Sequence, residues 1–215
     1  SYDQYGQSKG VCSCFSGGTA YYNIEGNIMS LIGGDNFSGL TSLSKNYAFH
    51  SLFDSSNAVS AENMVLPATT LSQYCYRAMF SKSASLVEAP ELPATALTEG
   101  CYWYMFDHTP LTTAPDLLAP TLAKGCYQGM FRECSNLNYI KCMATNVGAS
   151  EASGATAVWA ENVASTGTFV KDAATTWTIG SGGIPTGWVI IQGVEDPTIA
   201  CDGEQVTISC VTEGR

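Results

Sequence analysis

A six-residue phrase returns three times in this chain: Cys75-Tyr76-Arg77-Ala78-Met79-Phe80, Cys101-Tyr102-Trp103-Tyr104-Met105-Phe106, and Cys126-Tyr127-Gln128-Gly129-Met130-Phe131. A worn copy precedes them as Ala48-Phe49-His50-Ser51-Leu52-Phe53. The starts at 48, 75, 101 and 126 give units of 27, 26 and 25 residues. Units this short cannot bury their own apolar side, so they must stack and share one core. The tails repeat too: Ala89-Pro90-Glu91-Leu92 answers Ala114-Pro115-Asp116-Leu117, and Leu86, Leu111 and Leu137 recur with the period.

The period lies inside the roughly 20–29-residue window of leucine-rich repeats. Leu71, Cys75 and Met79 are four apart, as are Leu97, Cys101 and Met105, and Leu122, Cys126 and Met130. That spacing predicts one face of about two helical turns in each unit. Leu86-Val87-Glu88-Ala89 and Leu111-Thr112-Thr113-Ala114 read as brief strands closed by Pro90 and Pro115. The expected fold is an α/β solenoid: a short right-handed leucine-rich-repeat coil whose core is Cys75, Cys101, Cys126, Met79, Phe80, Met105, Phe106, Met130 and Phe131.

These phrases, with Gly26-Asn27-Ile28-Met29-Ser30-Leu31-Ile32 before them and Gly183-Ile184-Pro185-Thr186-Gly187-Trp188 after them, resemble the BspA-like leucine-rich-repeat proteins of gut Bacteroidota. The resemblance spans about residues 20 to 191. It implies a secreted or surface-displayed binding protein and no enzyme.

Four segments are expected: an N-terminal cap at 1–47, repeats at 48–142, a C-terminal cap at 143–193, and a β-hairpin at 194–215. Caps follow from the need to cover the first and last layers of the core. In the last segment Pro197 to Cys201 and Gln205 to Cys210 alternate in polarity around Asp202-Gly203, as hairpin strands do. It resembles the opening of an immunoglobulin-like or chitobiase-C-terminal-like β-sandwich domain, so the chain is expected to be a piece of something longer, with Cys201 and Cys210 close enough to form a disulfide.

Only 13% of the residues are charged, and they leave a formal net charge of -10. The nine Lys and Arg are scattered, which argues against nucleic acid and against a membrane surface. No apolar run approaches the ~18 residues that span a bilayer. No signal-type segment opens the sequence at Ser1, and the expected location is extracellular or on the cell surface, lipid-anchored upstream of Ser1.

The nine cysteines are an odd number, so one thiol is unpaired or pairs outside the chain. The repeated cysteines read as compact apolar fillers. Cys12 and Cys14 lack a second pair for zinc, and Cys134 and Cys142 flank one segment that a disulfide would cross. Two histidines, His50 and His108, sit at no triad or metal-ligand spacing. Glu91 and Asp116 recur beside prolines and read as solvated turns. No catalytic residue, metal or cofactor is assigned.

Residues that differ between units while the skeleton stays fixed are expected to face solvent. They are Arg77, Trp103, Tyr104, Asp107, His108, Gln128 and Arg132, a composition suited to recognition. Trp103 and Tyr104 have a second reading, as rings lying flat on a neighbouring unit. The expected function is non-enzymatic extracellular binding or adhesion, to a protein or glycan on a host, a microbe or mucin. A receptor-binding component of a phage virion is the alternative, and a non-catalytic module of a secreted hydrolase stands below both.

Overall fold

The computed structural model describes residue 15, residues 18–147 and 154–193, and the backbone of the strands at 199–201 and 206–208. The repeat phrase does not form a helix. Within it every fourth residue takes a positive φ: Tyr74 (56°), Ala78 (51°) and Lys82 (59°) in one unit, Gly100 (61°), Tyr104 (56°) and His108 (58°) in the next. Gly125, Gly129 and Glu133 continue the series, as do Tyr47, Ser51 and Ser55 before it. A left-handed residue ends an α-helix, so one at every fourth place turns the phrase into a ribbon of consecutive tight turns.

The backbone donors divide by parity. One set closes the turns: Arg77 donates to the Tyr74 carbonyl at 3.2 Å, Met79 to Tyr76 at 3.2 Å and Ser81 to Ala78 at 3.2 Å. The alternate set reaches the neighbouring unit: Tyr76 donates to Cys101 at 2.9 Å, Ala78 to Trp103 at 2.7 Å, Phe80 to Met105 at 2.9 Å and Lys82 to Asp107 at 2.7 Å. Buried peptide groups must find partners, and this alternation supplies them.

The expected α/β leucine-rich-repeat solenoid with caps and an opening β-sandwich is therefore corrected. Among the described residues the structure has short strands, in small parallel sheets but for one antiparallel pair, one four-residue α-helix, α1 (Ser30–Gly33), and a 3-10 turn at Gly34–Gly39, with no closed helix-and-strand coil. The physical reason lies in the spacing. An α-helix repeats every 3.6 residues, whereas Leu71, Cys75 and Met79 are four apart because each turn of the ribbon takes four. The expected strands after the phrase shrink to single bridges, Ser60 with Glu88 and Thr113 with Tyr139, before Pro90 and Pro115.

β1 (Tyr22–Asn23) pairs in parallel with β3 (Ala58–Ser60), and β2 (Gly26–Asn27) with β4 (Met64–Val65). At the other end β5 (Tyr139–Cys142), β6 (Thr168–Asp172) and β7 (Val189–Gly193) form a parallel sheet in that order. β8 (Ile199–Cys201) and β9 (Val206–Ile208) pair antiparallel. Cys12, Cys14 and Cys210 lie outside the described residues.

The core is built from columns that cross the units. Phe53, Phe80, Phe106 and Phe131 stack at centroid separations of 5.4, 5.6 and 5.9 Å. Phe49, Tyr76, Tyr102 and Tyr127 form a second pile at 5.8, 5.7 and 6.0 Å. Met79, Met105 and Met130 are fully buried, as are Cys75, Cys101 and Cys126. Each aromatic column removes a large apolar area from water and gains ring–ring attraction besides. The Tyr76 hydroxyl is buried without a hydrogen-bond partner among the described residues.

Cys134 and Cys142 are free buried thiols. Cys134 occupies the place of Ser56, Ser83 and Thr109 at the ribbon's end, and its thiol donates to the Phe106 carbonyl at 3.0 Å as Thr109 does at 2.8 Å.

A further layer runs through residues 154–162, where the Cys-Tyr phrase is absent. Gly154, Val158 and Asn162 repeat the left-handed positions, and Tyr127, Gly129 and Phe131 donate to Ala155, Ala157 and Trp159. Trp159 stands at the methionine place and touches both Tyr127 and Phe131. Small Thr156 and Ala160 take the neighbouring aromatic places, and the Trp159 indole meets the ends of both aromatic columns. Trp177 stacks on Trp159 at 5.4 Å and ends the core.

Candidate recognition surface

The ribbon sets side chains inward and outward two at a time, with Cys75, Tyr76, Met79 and Phe80 buried and Arg77 and Ala78 between them turned outward, and the outward ones meet their counterparts one layer away. Arg77, Trp103 and Gln128 share one column, and Ala78, Tyr104 and Gly129 the next, at the left-handed place. The Arg77 guanidinium lies over the Trp103 ring, 4.6 Å from its centroid. Trp103 stacks on Tyr104 at 5.8 Å, and the Arg132 guanidinium sits 5.1 Å from the Tyr104 centroid. On the other side Trp103 meets Tyr74 at 5.9 Å, and Tyr74 stacks on Tyr47 at 4.9 Å.

The result is a continuous array of rings and cations across four layers. Arg77 Nε and Trp103 Nε1 are buried and make no hydrogen bond among the described residues. Ring–cation attraction and packing hold this pair.

Arg132 anchors the far end. Its Nε donates to Asp107 Oδ1 at 2.8 Å and its Nη2 to Oδ2 at 3.4 Å, and His108 Nδ1 lies 3.0 Å from the same Oδ1. The hydrogen bonds with Asp107 hold Arg132 above its ordinary range. Asp107 is buried and serves its neighbours, while His108 is the exposed member of the group. Arg77, Trp103, Tyr104, Gln128 and Arg132 are half-buried. Both readings of Trp103 and Tyr104 thus meet in one arrangement: the rings lie against neighbouring layers and keep part of their surface open.

Residues outside the expected set join this face. Tyr74 Oη donates to Glu99 Oε1 at 2.9 Å, and Lys124 Nζ donates to the same oxygen at 2.9 Å. The Lys124 hydrogen bond, with that of Tyr74, holds the Glu99 carboxyl below its usual value; burial and the Glu99 bond push Tyr74 up to about 12. A sequence signal existed: Glu99-Gly100 and Lys124-Gly125 occupy equivalent places one unit apart with opposite charge. Asp116 pairs with Lys141 at 2.7 Å, and Glu91 is exposed.

Among the described residues no group of three His, Cys, Asp or Glu is placed to hold a metal ion, and no helix is long and apolar enough to cross a membrane. Comparison with protein-family models, with curated proteins and with solved structures returns no match to this chain.

Proposed function

We propose that the protein is a non-enzymatic binding module that works outside the cell or at its surface, recognising a protein or glycan through the ring-and-cation face. The observation that carries this reading is the array from Tyr47 through Tyr74, Trp103 and Tyr104 to Arg132, locked by Asp107. Aromatic and arginine side chains dominate binding energy at interfaces, and groups already immobilised by neighbours lose little entropy when a ligand arrives. Arg77, Trp103, Tyr104, Gln128 and Arg132, which differ between units, are half-buried along this face, which favours recognition over packing as the reason for their chemistry. The resemblance of the repeat phrase to surface-displayed proteins supports the extracellular setting.

The test is capture on arrays of glycans and immobilised extracellular proteins, with wild type beside Trp103→Ala and Arg132→Ala. A ligand is expected whose binding weakens at least tenfold in both variants while their melting curves remain cooperative. A ligand held equally well by both would place recognition elsewhere.

A further inference from the structure

The tyrosine column at the edge of the ring-and-cation face stops after two layers. Tyr47 and Tyr74 fill the left-handed place in their layers, and Gly100 and Gly125 occupy it in the next two. Beside these two glycines there is a hollow of about 140 Å³. The Tyr74 ring leans over Gly100 into the volume a Cβ would need, and the Gln128 amide oxygen lies 3.4 Å from where a Cβ on Gly125 would be. Two rings wall the hollow, Tyr74 and Trp103, inclined at 41°. Glu99, Lys124 and Gln128 supply its polar lining.

From this geometry we infer that the hollow binds a single neutral hexopyranose ring. The inference rests on the binding function proposed above and names one ligand class for it.

Three features select that class. The hollow is small beside the roughly 300–1,000 Å³ pockets that enclose drug-sized ligands, so it takes one ring and leaves the rest of a chain outside. Tyr74, stacked on Tyr47 and lying over Gly100, closes one wall, and the Trp103 ring supplies the electron-rich surface that attracts the partly positive C–H side of a pyranose. The Glu99 carboxylate and the Gln128 amide accept and donate hydrogen bonds at the rim, matching hydroxyls that do both. Charge sharpens the choice: Glu99 and Lys124 pair at 2.9 Å, so neither stands ready for an anionic or cationic ligand.

Saturation-transfer NMR on the whole chain, with glucose, galactose, mannose and N-acetylglucosamine titrated separately, tests this. At least one sugar is expected to saturate, with a roughly millimolar Kd for so small a ligand. Gln128→Ala removes the amide and is expected to weaken that sugar at least threefold. Gln128→Trp is the blocking variant: by the repeat geometry its indole takes the place over Gly100 that Trp103 takes beside Tyr74. It is expected to abolish the signal, and its fold is checked by the melting curve.

Absence of saturation with all four sugars overturns the proposal, as does an undiminished signal in a folded Gln128→Trp protein. Failure here is distinguishable from failure of the broader reading. A macromolecular ligand lost in Trp103→Ala but kept in Gln128→Trp, with no sugar response, removes this site and leaves the binding face standing.

Discussion

The ring of Tyr104 covers the backbone of Gly129 one layer on, in the space a side chain there would need. Gly129 also has a φ of 58°, so an added methyl meets both a ring and a left-handed backbone. Gly129→Ala is expected to cost about 1–3 kcal/mol, read from chemical denaturation. Tyr104→Ala in the same chain should return part of that loss. A purely additive double-mutant cycle would show that the two residues do not meet.

Lys82 is exposed and left-handed, with a φ of 59°. Glycine relieves the strain and a β-branched residue increases it. Lys82→Gly is therefore expected to exceed Lys82→Val in stability by roughly 1–2 kcal/mol. In an α-helix the order would be reversed, because glycine is the poorer helix former, so the pair of melting temperatures separates the turn ribbon from a helix.

Burial pushes the thiols of Cys101 and Cys142 up to about 12, and that of Cys134 up to about 11. The thiolate is the reactive form. Iodoacetamide at pH 8 should leave these three unmodified in the native protein and alkylate them once denaturant is added, as peptide mass spectrometry would read. Rapid native-state modification of Cys101 would mean that the core column opens to solvent.

Burial, and secondarily the positive charge of Arg77, pushes His50 down to about 4. In the unfolded chain its pKa is about 6.5. The folded form keeps the imidazole neutral where the unfolded form protonates, so its contribution is complete above about pH 6.5 and is lost as pH falls towards 4. The slope is at most about 1.4 kcal/mol per pH unit, reduced by partial exposure. Melting at pH 5 should fall below melting at pH 7, and His50→Gln should narrow the gap.

The buried positions were legible in periodicity, and the helix-and-strand coil read from the same period was not what formed. The positions that pile into the core, Met79 with Met105 and Met130 and Phe80 with Phe106 and Phe131, are those that the repeated phrase singles out. What the sequence concealed was the conformation between them, because spacings of 3.6 and of four agree over two turns. The deciding residues were Tyr74, Ala78 and Lys82, none of which announces a left-handed backbone. Gly100, Gly125 and Gly129 at the same places did carry that signal. The layer at 154–162 was hidden for another reason: Thr156, Trp159 and Ala160 stand where Tyr, Met and Phe stand elsewhere, so no phrase marks it. On the candidate face, variation between units pointed to Trp103, Tyr104 and Arg132. Asp107 varied for the opposite cause, as the buried counter-ion that holds Arg132.

Peptide groups join adjacent layers in every unit, and that set of links does not depend on which side chains occupy the outward places. Outward residues can therefore change while the peptide links stay in place, so such a chain can evolve new ligand preferences on a fixed backbone.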